Sequence, residues 1–385
     1  MPLRVVPWLM VAMIGLAACS GRPAPAPGPA MPRLSTSRAS AEPLSFHLGE
    51  PRAAHRATTL ADGRVVLSGG CTTAGCDGFG AARVIEIYDP RSRKLSEGPR
   101  LASPRASHTA TLLADGRVLF AGGYPGEGRA PTATAEIYDP DSGRLTAAGD
   151  LLQARAGHTA TLLKDGRVLI AGGFDAAGRA LRTAEYFDPA ANAFSAGPEL
   201  STARAAHAAA RLGDRVVLVG GTSTGAALSS TDVLAHGTWQ PGPTLKVGRI
   251  KHAALSLAGG ELLVVGGSPT IEGEVLLDST ELVDLDSGRV SAGPRLSEGE
   301  YKLEDAVAAL PDGRVVIAGG HRLDVYDPTN RSMTVLEEPA LPRLSFRTAS
   351  VLGARTVLLA GGYDGSIVPT DQAVVVAIPP RPPNL

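Results

Sequence analysis

The chain has 385 residues, 44 % of them hydrophobic, with 37 basic against 38 acidic side chains and a formal net charge of −1. Charges of both signs are dispersed along it, which excludes the basic footprint of a nucleic-acid-binding surface. After residue 19 no apolar run reaches membrane-spanning length, so most of the chain reads as a water-facing domain.

Met1 to Cys19 carries one basic residue, Arg4, an apolar run from Val5 to Ala18, and ends Leu16-Ala17-Ala18-Cys19. A basic start, an apolar stretch and small residues before a cleavage point mark an export signal. Cysteine directly after Leu-Ala-Ala resembles a bacterial lipoprotein signal. That resemblance implies that residues 1–18 are removed and that Cys19 carries lipid. With Ser20 following, it also implies anchoring at the outer membrane, on its periplasmic side or at the cell surface. Residues 19–43 are rich in Pro, Ala and Ser and nearly free of large apolar groups. They are predicted to be a disordered tether.

From residue 44 the chain is built on a repeat. Paired glycines recur at Gly69-Gly70, Gly122-Gly123, Gly172-Gly173, Gly220-Gly221, Gly266-Gly267, Gly319-Gly320 and Gly361-Gly362, spaced 53, 50, 48, 46, 53 and 42 residues apart. The third copy shows what each contains. His158–Leu163 reads as a first strand, a, and Asp165-Gly166 as a two-residue hairpin turn. Arg167–Ala171 is an apolar second strand, b, that suits burial on both faces. Thr183–Phe187 reads as strand c, closed by Asp188-Pro189, and a fourth strand, d, lies around Phe194–Gly197.

An apolar strand ending in Gly-Gly, then an aromatic, then a bulky residue seven positions later resembles the kelch motif. The pairs are Tyr88 with Leu95, Tyr138 with Leu145, Phe187 with Phe194, Tyr326 with Met333 and, in weaker form, Val283 with Val290. Tryptophan, usual at the second place in that family, is approached only by Trp239. The resemblance implies an all-β, seven-bladed kelch-type β-propeller of four-stranded antiparallel blades over residues 44–378. Leu44–Leu48 reads as a strand d lacking its partners, and the seventh copy has a (Ser345–Leu352), b (Thr356–Ala360) and c (Ala373–Ile378) but no d. The N-terminal strand is therefore expected to close the ring against the last blade, leaving no open sheet edge. Residues 379–385 form a Pro-rich tail that cannot pair. Of the three cysteines, Cys71 and Cys76 share one b–c loop, and in an exported protein they are expected to form a disulfide.

Three repeat positions carry chemistry. Histidines His55, His108, His158, His207 and His252 each follow an arginine by three residues: Arg52, Arg105, Arg155, Arg204 and Arg249. Acids Glu86, Glu136, Glu185, Asp232, Glu281 and Asp324 stand on strand c. Residues repeated in every blade serve each blade alike, so the histidines and acids are expected to satisfy buried backbone groups and no metal is expected. The arginines have a second reading, as cations around the channel mouth.

Function is expected where the repeats differ, and the sixth copy differs most. Lys302 and Asp305 stand at its Arg and His places, and its b–c loop is only His321-Arg322. The short loop predicts a notch lined by Lys302, Glu304, Asp305, His321 and Arg322, with Tyr363, Asp364, Glu272 and Glu274 beside it. The expected function is a non-catalytic, monomeric binding module of the cell envelope that presents its loop face to a protein or glycan, without a cofactor. The alternative is a carbohydrate-active enzyme resembling galactose oxidase or the kelch-type sugar epimerases. For an epimerase, Glu304 and His321 would be the proton-transfer pair. For the oxidase, the required copper ligands, two tyrosines, two histidines and a cysteine bonded to one tyrosine, are not matched by this cysteine placement.

Overall fold

The computed structural model describes residues 35–38, 44–74, 81–126, 128–271, 273–337 and 344–381. The export signal, Cys19, Cys76, Glu272 and the end of the Pro-rich tail lie outside them.

Blade three shows how the repeat folds. Its strands are Thr159–Leu162, Val168–Ala171, Ala184–Asp188 and Ala193–Ala196, paired antiparallel in that order. Asp165 fixes the first turn: Oδ1 accepts from the Arg167 N–H at 3.1 Å and Oδ2 from its Nε at 2.9 Å. Gly166 supplies the positive φ of 86° that the turn demands. Every residue of the second strand is buried, because it lies between neighbouring strands and under neighbouring blades. At Gly173, φ is 100° and a Cβ would sit 2.9 Å from the Ala156 carbonyl, so only glycine fits.

Seven such sheets are present. The aromatic and bulky residues read from the sequence face each other across strands c and d: Tyr88 with Leu95, Tyr138 with Leu145, Phe187 with Phe194, Tyr326 with Met333, and Val283 with Val290. Trp239 opposes Leu234 in the same register. The core lies between blades: Val66, Ile85 and Ile87 of blade one pack against Val118, Phe120 and Tyr138 of blade two. Burying a side chain such as Phe120 contributes about 2–3 kcal/mol. First strands of successive blades pack against one another around the axis.

The seventh sheet has the order Leu44–His47, Gln372–Ala377, Thr356–Ala360, Thr348–Val351. The N-terminal strand thus supplies the missing d strand, with Phe46 opposite Ala373 and stacked on Tyr88 of blade one at 4.9 Å. One expectation for residues 19–43 is corrected. Within the segment read as a disordered tether, Ser35–Arg38 forms a fifth strand on blade six, parallel to Ser332–Glu337. The stretch Ser-Thr-Ser-Arg is free of proline, and the outer strand of that blade offers an unpaired edge of backbone donors and acceptors.

Candidate functional site

The repeated polar residues form a buried frame. In blade three the Arg155 side chain is 0 % exposed; its Nη2 pairs with Glu185 Oε1 at 2.5 Å, and its Nη1 donates to the carbonyls of Gly172 and Thr183. Glu185 also accepts from the N–H groups of Leu152 and Gln153 in the connector from strand d to strand a. The same ion pair recurs as Arg52–Glu86, Arg105–Glu136, Arg204–Asp232 and Arg249–Glu281, at 2.5–3.2 Å. The arginines therefore do not ring the channel mouth. Each is a fully buried brace whose guanidinium satisfies carbonyls that the glycine pair leaves open.

The histidines act between blades. Nε2 of His108, His158, His207 and His55 lies 3.0–3.1 Å from a hydroxyl of the preceding blade: Ser68, Thr109, Thr159 and Thr348, the last across the ring closure. The partner is the residue after the histidine place of the preceding blade wherever that residue has a hydroxyl. His252 faces a blade with Ala208 at that place, so no hydroxyl meets its ring, and its hydrogen-bonding neighbour is the Val219 backbone. Burial first, and the nearby arginines second, hold all five imidazoles well below their usual pKa.

Blades six and seven break this frame. In space, Glu300 rather than Lys302 takes the arginine's place: its carbonyl accepts from Gly267 N at 2.7 Å, as that of Arg249 does from Gly221. Leu303 rather than Asp305 takes the histidine's place, packing against Gly266 as His252 packs against Gly220. The assignment of Lys302 and Asp305 to those places is corrected by a two-residue insertion. A turn closed by Ala306 N to Leu303 O absorbs the extra residues before strand Val307–Ala309 begins. Blade seven answers with Leu344 at the arginine place and Arg347 at the histidine place.

The result is a buried charge cluster with two acids and a borrowed cation. Glu300, Asp324 and Arg347 are 1 %, 0 % and 2 % exposed. Glu300 Oε2 accepts from Gly319 N at 3.1 Å, and Arg347 Nη2 donates to the Gly320 carbonyl at 3.0 Å. Glu300 Oε1, Asp324 Oδ1, and Arg347 Nε and Nη1 have no protein partner. Burial, then the neighbouring acids Asp324 and Glu298, hold the Glu300 carboxyl well above its ordinary range, and burial lifts Asp324 to about 6.

The first strands of the blades begin at an axial rim. One residue per blade there has positive φ: Ala54, Ser107, Gly157, Ala206, Lys251, Lys302 and Phe346, at 50–60°. Backbone bonds link them from blade to blade, Gly157 N to Ser107 O, Ala206 N to Gly157 O and Lys251 N to Ala206 O, each 2.9 Å. At blade six the chain of bonds slips, since Leu303 N reaches Lys251 O and Phe346 N reaches Gly319 O. Four blades place small residues on this rim; the last three place Lys, Lys and Phe. Lys302 Nζ stands 4.7 Å from the Phe346 ring centre, 5.6 Å from Tyr301 and 5.7 Å from Tyr363, and Lys251 Nζ is 5.6 Å from the same Tyr301 ring. Burial, then the Lys251 charge, press the Lys302 ammonium down to about 7, while Glu304 opposes them.

The structure brings together only part of the predicted notch. Lys302 and Tyr363 meet at the rim, and Glu304 is exposed beside them. Asp305 turns away. Its carboxylate accepts from Ala57 N at 3.0 Å and pairs with Arg56 at 3.5 Å, both on blade one. His321 and Arg322 are exposed, and their N–H groups are capped by Glu298. Asp364 shapes its own loop by accepting from the Ser366 and Val368 N–H groups. The sequence reading missed Tyr301, Phe346 and Lys251, and the apolar residues Val275, Leu276 and Val368 on the blade-five and blade-seven loops, which are 53 %, 41 % and 44 % exposed. Cys71 is disulfide-bonded. A cleft of about 710 Å³ opens between the outer strands of blades one and two, but Arg105 and Glu136 in its lining are already paired.

Against known proteins, the family model described as the Kelch motif matches residues 154–201, which is blade three. No curated protein matches the chain. Among solved structures, a fungal alcohol oxidase of the AA5 family in complex with copper is similar at 16 % identity, with a TM-score of 0.68, covering 87 % of this chain and 76 % of that one. A structure named YjhT is similar at 15 % identity, with a TM-score of 0.59, covering 76 % of this chain and 99 % of that one. Among the described residues no group of three His, Cys, Asp or Glu side chains is arranged to hold a metal ion, and the repeat histidines are enclosed between blades. The protein is a seven-bladed, all-β propeller that carries a kelch motif.

Proposed function

We propose that this propeller is a non-catalytic binding module of the cell envelope, held there through Cys19, whose loop face takes a protein ligand at the notch over blade six. The observation that carries the reading is where the large apolar side chains stand exposed. Of Leu44, Leu152, Val275, Leu276 and Val368, the last three flank the b–c connection that is cut to His321-Arg322. Exposed aliphatic side chains on the loops of the two blades that supply a cluster of aromatic rings are the composition of a protein-recognition centre. The envelope placement is supported by Leu16-Ala17-Ala18-Cys19.

Selection of the full chain against a displayed peptide library tests this. The enriched peptides should lose at least about tenfold in affinity on Val275→Asp/Leu276→Asp, a loss of about 1.4 kcal/mol, and keep it on Leu152→Asp, a more exposed site in the connector to blade three. Peptides indifferent to the notch variant, or binding confined to glycans, would overturn the reading.

A further inference from the structure

We infer that Ser35–Arg38 is a strap that sets which way the propeller faces. It holds the lipid-bearing end of the chain at the face of the Asp-Pro turns, so that the loop face points away from the bilayer. This rests on the reading above that Cys19 is the anchor. The outer strands of blades one, three, four and five are closed by a glycine and a proline, Gly98-Pro99, Gly197-Pro198, Gly242-Pro243 and Gly293-Pro294. Proline removes a donor and blunts an edge against a further strand. In blade six the same places hold Leu336 and Glu337, and the next proline is Pro339. That outer strand, Ser332–Glu337, is the one that carries a fifth strand; the other described sheets end at four.

The direction of the strap sets the orientation. Strand Leu323–Asp327 starts at the short b–c connection and ends at the turn, so its partner strand has Leu336 at the loop end and Ser332 at the turn end. Ser35 lies opposite Thr334 and Arg38 opposite Glu337, in parallel. The chain therefore reaches blade six from the turn side, and whatever precedes Ser35 leaves by the turn face. The C-terminal segment is fastened on that face too: Arg381 Nε donates to Asp327 Oδ2 at 2.8 Å and Nη2 to the Asp312 carbonyl at 2.9 Å. Pro23, Pro25, Pro27, Pro29 and Pro32 keep the upstream chain from pairing, whereas residues 33–42 contain no proline. Docking leaves residues 19–34 free instead of 19–43, sixteen residues rather than twenty-five. At about 3.1 Å per residue the reach from the lipid shortens from about 80 Å to about 50 Å.

The experiment places the mature chain in nanodiscs of phosphatidylethanolamine and phosphatidylglycerol, beside a Thr36→Pro/Ser37→Pro variant. Successive N–H groups of a strand point to opposite edges, so one of the two prolines removes a bond to blade six. Amide hydrogen exchange at residues 35–38 should be slowed at least about tenfold in the wild type and not in the variant, with Leu44–His47 protected in both. Donor dyes are attached at Ala191, in the blade-three c–d turn, or at Ala177, in the b–c loop of the same blade, both exposed. Energy transfer to an acceptor on the lipid headgroups should be stronger from Ala191, and the difference should fall by at least about half in the variant, as the tether lengthens. Fast exchange at residues 35–38 in the wild type would overturn the strap. A difference unchanged in the variant would overturn its role in orientation, and protection found only in a dimer would assign the edge to a second copy. A mature chain without lipid would overturn the anchor reading and the orientation with it, even with residues 35–38 protected.

Discussion

As the pH falls from 7.5 to 5.5 the propeller is expected to lose folding stability, by at most about 7 kcal/mol from its five buried histidines and by less once the return from two buried acids is counted. Five imidazoles buried between blades are held neutral in the folded chain. In the unfolded chain they take up protons as the pH drops past about 6.5. A group with a depressed folded pKa favours the unfolded state throughout the window from its unfolded pKa down to its folded one. Each histidine contributes about 1.4 kcal/mol per pH unit within that window. Asp324 and Glu300 act in the opposite direction. Their raised pKa values mean that the folded chain gains protons first, and Asp324, at about 6, returns about 1 kcal/mol by pH 5.5. Glu300→Gln should accordingly raise stability at neutral pH and steepen the acid loss. Urea unfolding at half-unit pH intervals reads the slope, and His158→Gln should flatten it by about one fifth. A stability constant over this range would mean that the histidines are solvated or charged in the folded state.

Deleting Leu44–Leu48 should cost about 4–6 kcal/mol and lower Tm by about 10 °C. The strand Leu44–His47 provides a complete ladder to Gln372–Val375. Leu48 N donates to Asp371 O at 2.6 Å, and its side chain is 4 % exposed. Phe46 lies flat on Tyr88, with ring planes 9° apart, so the same strand also fastens blade seven to blade one. Loss of the strand exposes the edge of Gln372–Ala377 and removes that fastening together. Differential scanning calorimetry of the deletion beside Phe46→Ala, which keeps the ladder and removes the stack, separates the two contributions. An unchanged Tm in the deletion would place the ring closure elsewhere.

Much of this fold is legible in the sequence because its determinants are local. Gly172-Gly173, Asp165-Gly166 and the Phe187–Phe194 spacing each act within a few residues, and the tertiary structure keeps them as read. The site is less legible because it depends on register. Counting back from strand a of the sixth copy puts Lys302 and Asp305 at the Arg and His places. Counting forward from the buried leucine of each connector would have given the observed answer. Leu48, Leu101, Leu151, Leu200 and Leu245 each precede the histidine by seven residues, and seven beyond Leu296 is Leu303. That leucine anchors the connector in the core, whereas the start of a strand moves freely with an insertion. The cage around Lys302 was hidden for another reason: Tyr301, Phe346 and Tyr363 come from two blades, and only the packing of blade six beside blade seven brings them together.

The claim that function resides where blade six departs from the repeat is tested most directly by photo-crosslinking in the producing cell. A photoreactive phenylalanine analogue placed at Leu276, on the blade-five loop beside the shortened connection, is compared with one at Leu152, which is more exposed and lies in the connector to blade three. The notch position is predicted to yield a discrete protein adduct that disappears on Lys302→Met, and Leu152 to yield none. Equal labelling at both positions, or adducts at Leu152 alone, would contradict the account.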